Sequence, residues 1–129
     1  MNYLAWFELG RTELMRANGV SYAGLEDEGI LLPVARAELD YRQGAGYDER
    51  VCILSRVKQV RSRTVTFAYE ARRVDDEALL ARGSTTLVCT DSDLRLRRIP
   101  DEAQQMLEQL RSAAEADSSG SGVPTPGSE

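Results

Sequence analysis

The chain begins with a segment that has the apolar spacing of a long helix. Over residues 2 to about 17, apolar side chains recur at intervals of four, seven and eight, which places them on one face. They are Tyr3, Phe7, Leu14 and Met15, with Leu4 beside them. The opposite, polar face is expected to carry Arg11, Glu13 and Arg16. Asn18 and Gly19 predict the end of the helix, because both residues tolerate the left-handed backbone of a C-cap.

Strand-like segments follow this helix and are separated by short turns. The predicted strands cover residues 30–41, 51–57, 65–71 and 80–90, and a short fifth strand is expected at 94–99. In the second and third strands, alternate residues share one face: Val51, Ile53, Ser55 and Val57, then Val65, Phe67, Tyr69 and Ala71. Consecutive strands with hairpin-length connections predict an antiparallel meander. The fold class is therefore α+β, with an antiparallel sheet curled around a central N-terminal helix.

The remaining segments are turns, a second long helix and a tail. One helical turn is expected within residues 21–29, and turns are expected at 44–48 and at Asp75-Asp76. The C-terminal helix begins at Pro100 and runs to about Ala114. Its apolar face is predicted to consist of Met106, Leu107 and Leu110. Residues 1–114 thus form one domain, and the Ser/Gly/Pro-rich residues 115–129 are predicted to be a disordered tail.

Composition excludes several classes of function. The chain has no histidine, which removes every mechanism that uses an imidazole base or a His-ligated zinc. A net charge of −5 argues against general nucleic-acid binding. No segment has the roughly 20 apolar residues of a membrane span, and no signal peptide is recognisable, so we expect a soluble, cytoplasmic protein. Cys52 and Cys89 lie in strand-like runs and are expected to be buried free thiols.

Basic residues are concentrated in the middle of this acidic chain. Residues 50–73 contain seven basic side chains and a single acidic one, Glu70. The basic residues are Arg50, Arg56, Lys58, Arg61, Arg63, Arg72 and Arg73. Such a local excess predicts a surface for an anion smaller than a nucleic-acid duplex.

The N-terminal segment also resembles a known family. Residues 2–13 contain Asn-Tyr, then Trp-Phe-Glu, then Arg-x-Glu, a pattern similar to the central helix of hotdog-fold acyl-CoA thioesterases of the 4-hydroxybenzoyl-CoA thioesterase type. Residues 32–51 resemble the strand-turn-strand of that family, although Gly44 stands where many relatives have Pro. Residues 83–91, followed by Ile99-Pro100, resemble the last strand of the family and the segment by which the chain leaves that strand. The resemblance extends from residue 2 to about residue 100.

The start of the chain departs from the family pattern. In the family a strand and a loop precede the Asn-Tyr, and the loop supplies an Asp that acts as nucleophile or general base. Here Asn2 directly follows Met1, so we expect that segment to be absent. A cap at residue 2 would also leave a charged terminus beside the core. One explanation, which we favour, is an internal Met of a longer protein; the other is a truncated relative without the usual catalysis.

The resemblance also indicates candidate site residues. Some hotdog thioesterases place a catalytic Glu on the central helix, which makes Glu8 a candidate base or nucleophile; an ion pair with Arg11 is the favoured alternative. At the helix start, Asn2 and Tyr3 are implied to bind substrate, since a backbone N–H there polarises the thioester carbonyl. Arg61 and Arg63 are implied to hold the phosphates of coenzyme A, and an ordinary solvated hairpin is an equal alternative.

The implied function is hydrolysis of an acyl- or aroyl-CoA thioester, with the carbonyl polarised at the helix N-terminus. The attacking or assisting carboxylate is expected upstream of Met1. The alternative is a non-catalytic hotdog module that binds an acyl ligand or only dimerises. No cofactor, metal, nucleic acid or membrane is expected as a partner. The family builds its pockets between subunits, so a homodimer or homotetramer is implied, and an exposed sheet edge favours the same conclusion.

Overall fold

The computed structural model describes residues 2–43 and 49–116. Its elements are α1 (Tyr3–Ala17), α2 (Tyr22–Asp27), β1 (Val34–Tyr41), β2 (Val51–Val60), β3 (Thr64–Arg73), β4 (Leu79–Val88) and α3 (Asp101–Ala116). The turn predicted at 44–48 and the tail from residue 117 onward lie outside the described residues. None of the helices in the described part is both long enough and apolar enough to span a bilayer.

The helix α1 forms where its apolar stripe predicts it. The Asn2 side chain caps the first turn, because its Oδ1 accepts a hydrogen bond from the Ala5 amide at 3.1 Å. At the other end, the Asn18 amide donates to the Met15 carbonyl, and Gly19 takes a φ of +90°. Both predicted ends of the helix are confirmed. The prediction for Arg11 is wrong, since this side chain is only 6% exposed and lies on the buried face.

The core lies between α1 and one face of the sheet. The Phe7 ring stacks on Tyr69 with centroids 4.6 Å apart and planes within 3°. The alternate residues predicted to share a face in β2 and β3 are buried on this side, which confirms that part of the prediction. Cys89 is buried and free, as expected, whereas the free Cys52 is only partly buried.

The sheet is antiparallel, but the predicted meander is wrong for its first strand. The observed order is β1-β4-β3-β2, so β1 pairs with β4 and not with β2. The chain between Tyr41 and Val51 is much longer than a two-residue hairpin loop. Three inter-strand spacings, about 14 Å, separate β1 from β2, and a connection of that length easily covers the distance. Therefore β1 and β2 form the two edges of the sheet.

The predicted fifth strand at 94–99 does not form. Instead, the Asp91 carboxylate accepts hydrogen bonds from the amides of Asp93 and Arg95, at 2.9 and 3.0 Å. Leu94 has a left-handed φ of 64°, and only Leu96 makes an isolated bridge, to Thr90. The chain thus turns back at Asp91, since local carboxylate–amide bonds compete with strand pairing.

The helix α3 packs against the edge strand β2 and covers one of its faces. Leu107 is buried, and Met106 and Leu110 are partly buried against the core, so the predicted apolar face is confirmed. The helix ends at Ala116, two residues beyond the predicted end at Ala114. The acidic side chains of Asp101 and Glu102 lie in its first turn, where they complement the helix dipole.

Candidate active site

The N-terminus of α1 lies beside the edge strand β1. Asn2 is exposed, while Tyr3 is 3% exposed and its ring contacts Tyr41 of β1, with centroids 5.9 Å apart. The Trp6 ring meets Tyr3 edge-on at 5.5 Å. The aromatic rings hold this helix end in a fixed position against β1. A helix start with its capped amides and positive dipole end favours an oxyanion.

Glu8 is exposed on the side of α1, one to two turns from its start. The alternative of an ion pair with Arg11 is wrong, because Arg11 Nε donates to the Tyr22 hydroxyl at 3.1 Å and makes no ion pair with Glu8. By contrast, Glu13 does pair with Arg16. The Glu8 carboxylate is therefore not paired with Arg11.

Glu8 and Arg11 line a cavity of about 310 Å³ between α1, α2 and residues 30–33. Its other walls include Tyr22, Leu25, Ile30 and Leu32. A cavity of this volume is at the lower end of the range for small-molecule sites. Neither Arg61 nor Arg63 lines it, so the structure does not bring the predicted phosphate-binding turn into the same cavity as Glu8.

A buried polar chain extends from this cavity into the core. Arg11 Nε donates to the Tyr22 hydroxyl, the Arg11 side chain also interacts with the Tyr69 hydroxyl, and that hydroxyl lies 2.6 Å from Thr85 Oγ1. Burial raises the pKa of Tyr22 and of Tyr69. Burial lowers the pKa of Arg11, but the neighbouring oxygens of Tyr22 and Tyr69 outweigh that effect and the net pKa is raised. Arg11 is therefore a permanent cation among neutral hydroxyls.

The sequence did not reveal the role of Arg11. It was assigned to the polar face by its charge, yet it lies four residues after Phe7 and eight after Tyr3, on the same buried stripe. That spacing was the sequence signal from which the burial of Arg11 could have been predicted. Tyr22 was missed because nothing in the sequence shows that α2 folds back onto α1.

Arg61 and Arg63 lie in the turn between β2 and β3, and both side chains are exposed. The backbone of this turn is held firmly: the Cys89 amide donates to the Arg63 carbonyl, and the Ile99 amide to the Ser62 carbonyl, each at 2.8 Å. In the part of the chain that the structure describes, neither guanidinium makes an ion pair. The turn thus presents two uncompensated cations on a rigid support.

A second concavity, of about 490 Å³, lies on the outer face of the sheet. Its charged side chains come from all four strands, including Glu38, Asp40, Arg56, Lys58 and Arg82. Asp40 pairs with Arg42 and Arg82, so much of its charge is already compensated. Among residues 2–43 and 49–116, no cluster of three or more His, Cys, Asp or Glu side chains suits a metal ion.

Comparison with known proteins identifies the family. The model of the thioesterase-like superfamily matches residues 1–110. The chain belongs to this superfamily. The resemblance to hotdog thioesterases and the α+β hotdog fold are thereby confirmed.

Individual relatives are similar over most of the chain. A putative acyl-CoA thioesterase, YneP, of Bacillus subtilis is 26% identical over 92 residues, which are 71% of this chain and 66% of that protein. The acyl-CoA thioesterase YbgC of Haemophilus influenzae is 28% identical over 90 residues, 69% of this chain and 65% of that protein. The chain thus spans about two thirds of the length of these relatives.

Solved structures show the same architecture. The DHNA-CoA thioesterase of Staphylococcus aureus superposes with a TM-score of 0.76 at 28% identity, over 92% of this chain and 78% of that one. A hypothetical protein of Thermus thermophilus, TT1821, superposes with a TM-score of 0.77 at 30% identity, over 84% and 81% of the two chains.

Proposed function

We propose that this protein is a thioesterase that hydrolyses an acyl- or aroyl-CoA thioester to the free acid and coenzyme A. The observation that carries the proposal is the superfamily match over residues 1–110, which includes α1 and the whole sheet. The relatives YneP, named as a putative acyl-CoA thioesterase, and YbgC, named as an acyl-CoA thioesterase, support the substrate class. The two arginines at the β2–β3 turn and the capped start of α1 supply suitable chemistry for the phosphates and the carbonyl.

In this proposal the thioester carbonyl lies at the N-terminus of α1, where Asn2 and Tyr3 shape the helix start. Water adds to the carbonyl carbon while a carboxylate accepts its proton, and the positive helix end stabilises the oxyanion. The carbon–sulfur bond then breaks, and coenzyme A leaves as a thiol after it takes up a proton. Within residues 2–43 and 49–116, Glu8 is the carboxylate closest in sequence to this helix end.

Glu8→Gln tests the role of the carboxylate. Five residues of α-helix rise about 7.5 Å, and side chains lean toward the helix N-terminus, so Glu8 lies within reach of a carbonyl bound at the first turn. As general base, its loss is expected to lower kcat for benzoyl-CoA by about 10²-fold or more. The measurement is the rate of thiol release under saturating substrate.

Glu13→Gln is the matched control, because Glu13 lies on the same helix and pairs with Arg16. This variant is expected to keep the wild-type kcat. An unchanged kcat in Glu8→Gln would rule out Glu8 as the base and would place the carboxylate in another part of the protein.

The double variant Arg61→Ala/Arg63→Ala tests the phosphate site. Both guanidiniums are exposed cations without carboxylate partners among the described residues, and such groups bind phosphate oxygens through charge-assisted hydrogen bonds. We expect KM for acyl-CoA to rise about 10-fold or more while kcat stays nearly constant, since binding in the ground and transition states is lost equally. Arg36→Ala is the control, because it removes one positive charge from the opposite edge of the sheet. A similar KM in the wild type, the double variant and Arg36→Ala would refute the assignment of Arg61 and Arg63 to the phosphate site.

We further propose that the protein is a homodimer or homotetramer and acts in the cytoplasm. All eight residues of the edge strand β1 are exposed, and an exposed edge with apolar side chains favours pairing with another chain. Val34, Leu39 and Tyr41 of β1 are among the exposed large apolar residues. The free thiols of Cys52 and Cys89 are consistent with a reducing compartment.

Leu39→Lys tests the β1 interface. A charge on this strand is expected to oppose the pairing of two copies, so the variant elutes at a smaller mass than the wild-type oligomer in size-exclusion chromatography with light scattering. Leu94→Lys makes the same change at an exposed leucine outside the sheet and is expected to keep the wild-type mass. A monomeric wild-type protein, or an unchanged mass for Leu39→Lys, would contradict the interface.

A further inference from the structure

Arg11 is a buried cation at a cavity wall, and none of its hydrogen-bonding partners is an anion. Its side chain is 6% exposed, and its Nε donates to the hydroxyl of Tyr22. In the part of the chain that the structure describes, no carboxylate forms an ion pair with it. Burying a charge lowers the stability of a protein unless an opposite charge pairs with it. Removing the partner of a buried charge is strongly destabilising for the same reason. A bound anion would therefore supply the charge partner that Arg11 lacks among the described residues.

The cavity places this cation where an acyl group can reach it. Arg11 is the one basic residue among the described side chains that line the 310 Å³ cavity. Glu8, the candidate base, lines the same cavity three residues before Arg11, and side chains at this helical spacing lie about 5–6 Å apart at their Cβ atoms. That distance matches the length of an aromatic ring or a short chain beyond the thioester carbonyl.

The other walls of this cavity suit the middle of such a group. Leu25, Ile30 and Leu32 are apolar, and they offer contact to a ring or methylene chain without competing for its polar end. Glu8 and Glu26 also line the cavity, but both are exposed, so solvent weakens their repulsion of an anion without abolishing it. The buried end of the cavity is positive, and its exposed rim is acidic.

We propose that Arg11 determines substrate specificity by binding an anionic oxygen at the far end of the acyl group, either a carboxylate or an ionised aromatic hydroxyl. This inference rests on the proposed thioesterase function for its kinetic consequences. The binding of the free acid does not depend on hydrolysis. The Arg11 guanidinium suits either oxygen because it is planar and permanently charged.

The first arm of the test measures binding of free acids by calorimetry. Terephthalate carries a second carboxylate, 4-hydroxybenzoate carries a hydroxyl, and benzoate carries neither. Wild-type protein is expected to bind terephthalate or 4-hydroxybenzoate at least 10-fold more tightly than benzoate, and which of the two is preferred identifies the oxygen. In Arg11→Gln that preference is lost, while Arg11→Lys restores part of it. Arg16→Gln, an exposed arginine on the same helix, keeps the wild-type preference.

The second arm measures hydrolysis of matched thioesters. The ratio of kcat/KM for adipoyl-CoA over hexanoyl-CoA, or for 4-hydroxybenzoyl-CoA over benzoyl-CoA, is expected to fall at least 10-fold in Arg11→Gln. Selective acid binding that depends on Arg11 without any hydrolysis would leave this inference intact and refute the proposed function. Folded Arg11→Gln with unchanged preferences in both arms would show that Arg11 is only a structural link between α1 and α2.

A variant that does not depend on the core covers the case in which Arg11→Gln fails to fold. Glu26 is exposed at the rim, so Glu26→Gln is expected to fold normally and to remove repulsion from the cavity entrance. Its dissociation constant for terephthalate should fall at least twofold, and that for benzoate should fall less because benzoate carries a single charge. Equal affinities of Glu26→Gln and wild type for terephthalate, together with no wild-type preference for terephthalate or 4-hydroxybenzoate over benzoate, would overturn the proposal.

Discussion

Phe7→Ala is expected to lower the free energy of unfolding by about 3–5 kcal/mol. The Phe7 side chain is completely buried and stacks on Tyr69 at 4.6 Å. Its removal leaves a cavity between α1 and the sheet and also forfeits the aromatic contact. Since a domain of this size is stable by about 5–15 kcal/mol, the variant loses about a fifth or more of its stability. Urea denaturation followed by circular dichroism measures the change.

Leu9→Ala is the matched control for this prediction. Leu9 lies on the same helix, but its side chain is 48% exposed, so the loss is expected to stay within about 0.5 kcal/mol. The difference between the two variants reports the packing of α1 on the sheet. Losses that agree within 1 kcal/mol would mean that α1 does not pack as described.

Gly83→Ala is expected to destabilise the protein by about 1–3 kcal/mol and to loosen β1. A Cβ at this position would clash with the carbonyl oxygen of Glu38 and would lie 2.9 Å from Cε2 of Phe7. The Glu38 oxygen belongs to the backbone of β1, so it moves away only if the strand moves. Amide exchange in residues 37–41 is expected to become faster, because local opening of an edge strand follows the loss of its pairing.

Ser84→Ala is the control in the same strand. The Ser84 hydroxyl reaches the exposed carboxylate of Glu38 at 3.4 Å, so its removal is expected to change the stability by less than about 0.5 kcal/mol. Normal stability and unchanged amide protection in Gly83→Ala would contradict the pairing of β1 with β4.

Local patterns in the sequence were enough to predict the helices and the buried faces of the strands. The spacing of Tyr3, Phe7, Leu14 and Met15 gives α1 correctly, and the alternation in β2 and β3 gives their core face. These features depend on periodicity and capping, which a short window of sequence contains. The resemblance to the family was equally visible, because its motifs lie in order along the chain.

The order of the strands in the sheet could not be predicted from local sequence patterns. Pairing of β1 with β4 is decided by which faces and edges meet across the whole sheet, and a connection that is too long for a hairpin is compatible with several partners. The fifth strand failed for a different reason. The strand pairing expected for residues 94–99 was outweighed by the Asp91 carboxylate, which accepts hydrogen bonds from two nearby amides.

The candidate site was predictable in its parts but not in its arrangement. Glu8, Arg61 and Arg63 were identified from the motif and the charge pattern, and their roles stay predictions. The burial of Arg11 was missed because a charged residue was assumed to face solvent. Its link to Tyr22 depends on how α2 packs against α1, and that contact lies between segments with no shared sequence signal.

The measurement that tests the central claim most directly is release of free thiol from a panel of CoA thioesters. The panel includes benzoyl-CoA and medium-chain acyl-CoA, and the assay uses the 129-residue chain and, in parallel, the longest reading frame that contains it. We predict hydrolysis of at least one thioester with kcat/KM on the order of 10⁴ M⁻¹ s⁻¹ or above. No release above the spontaneous rate from any thioester, by either folded protein, would contradict the proposed function. Saturable CoA-thioester binding in that case would instead favour a non-catalytic hotdog module.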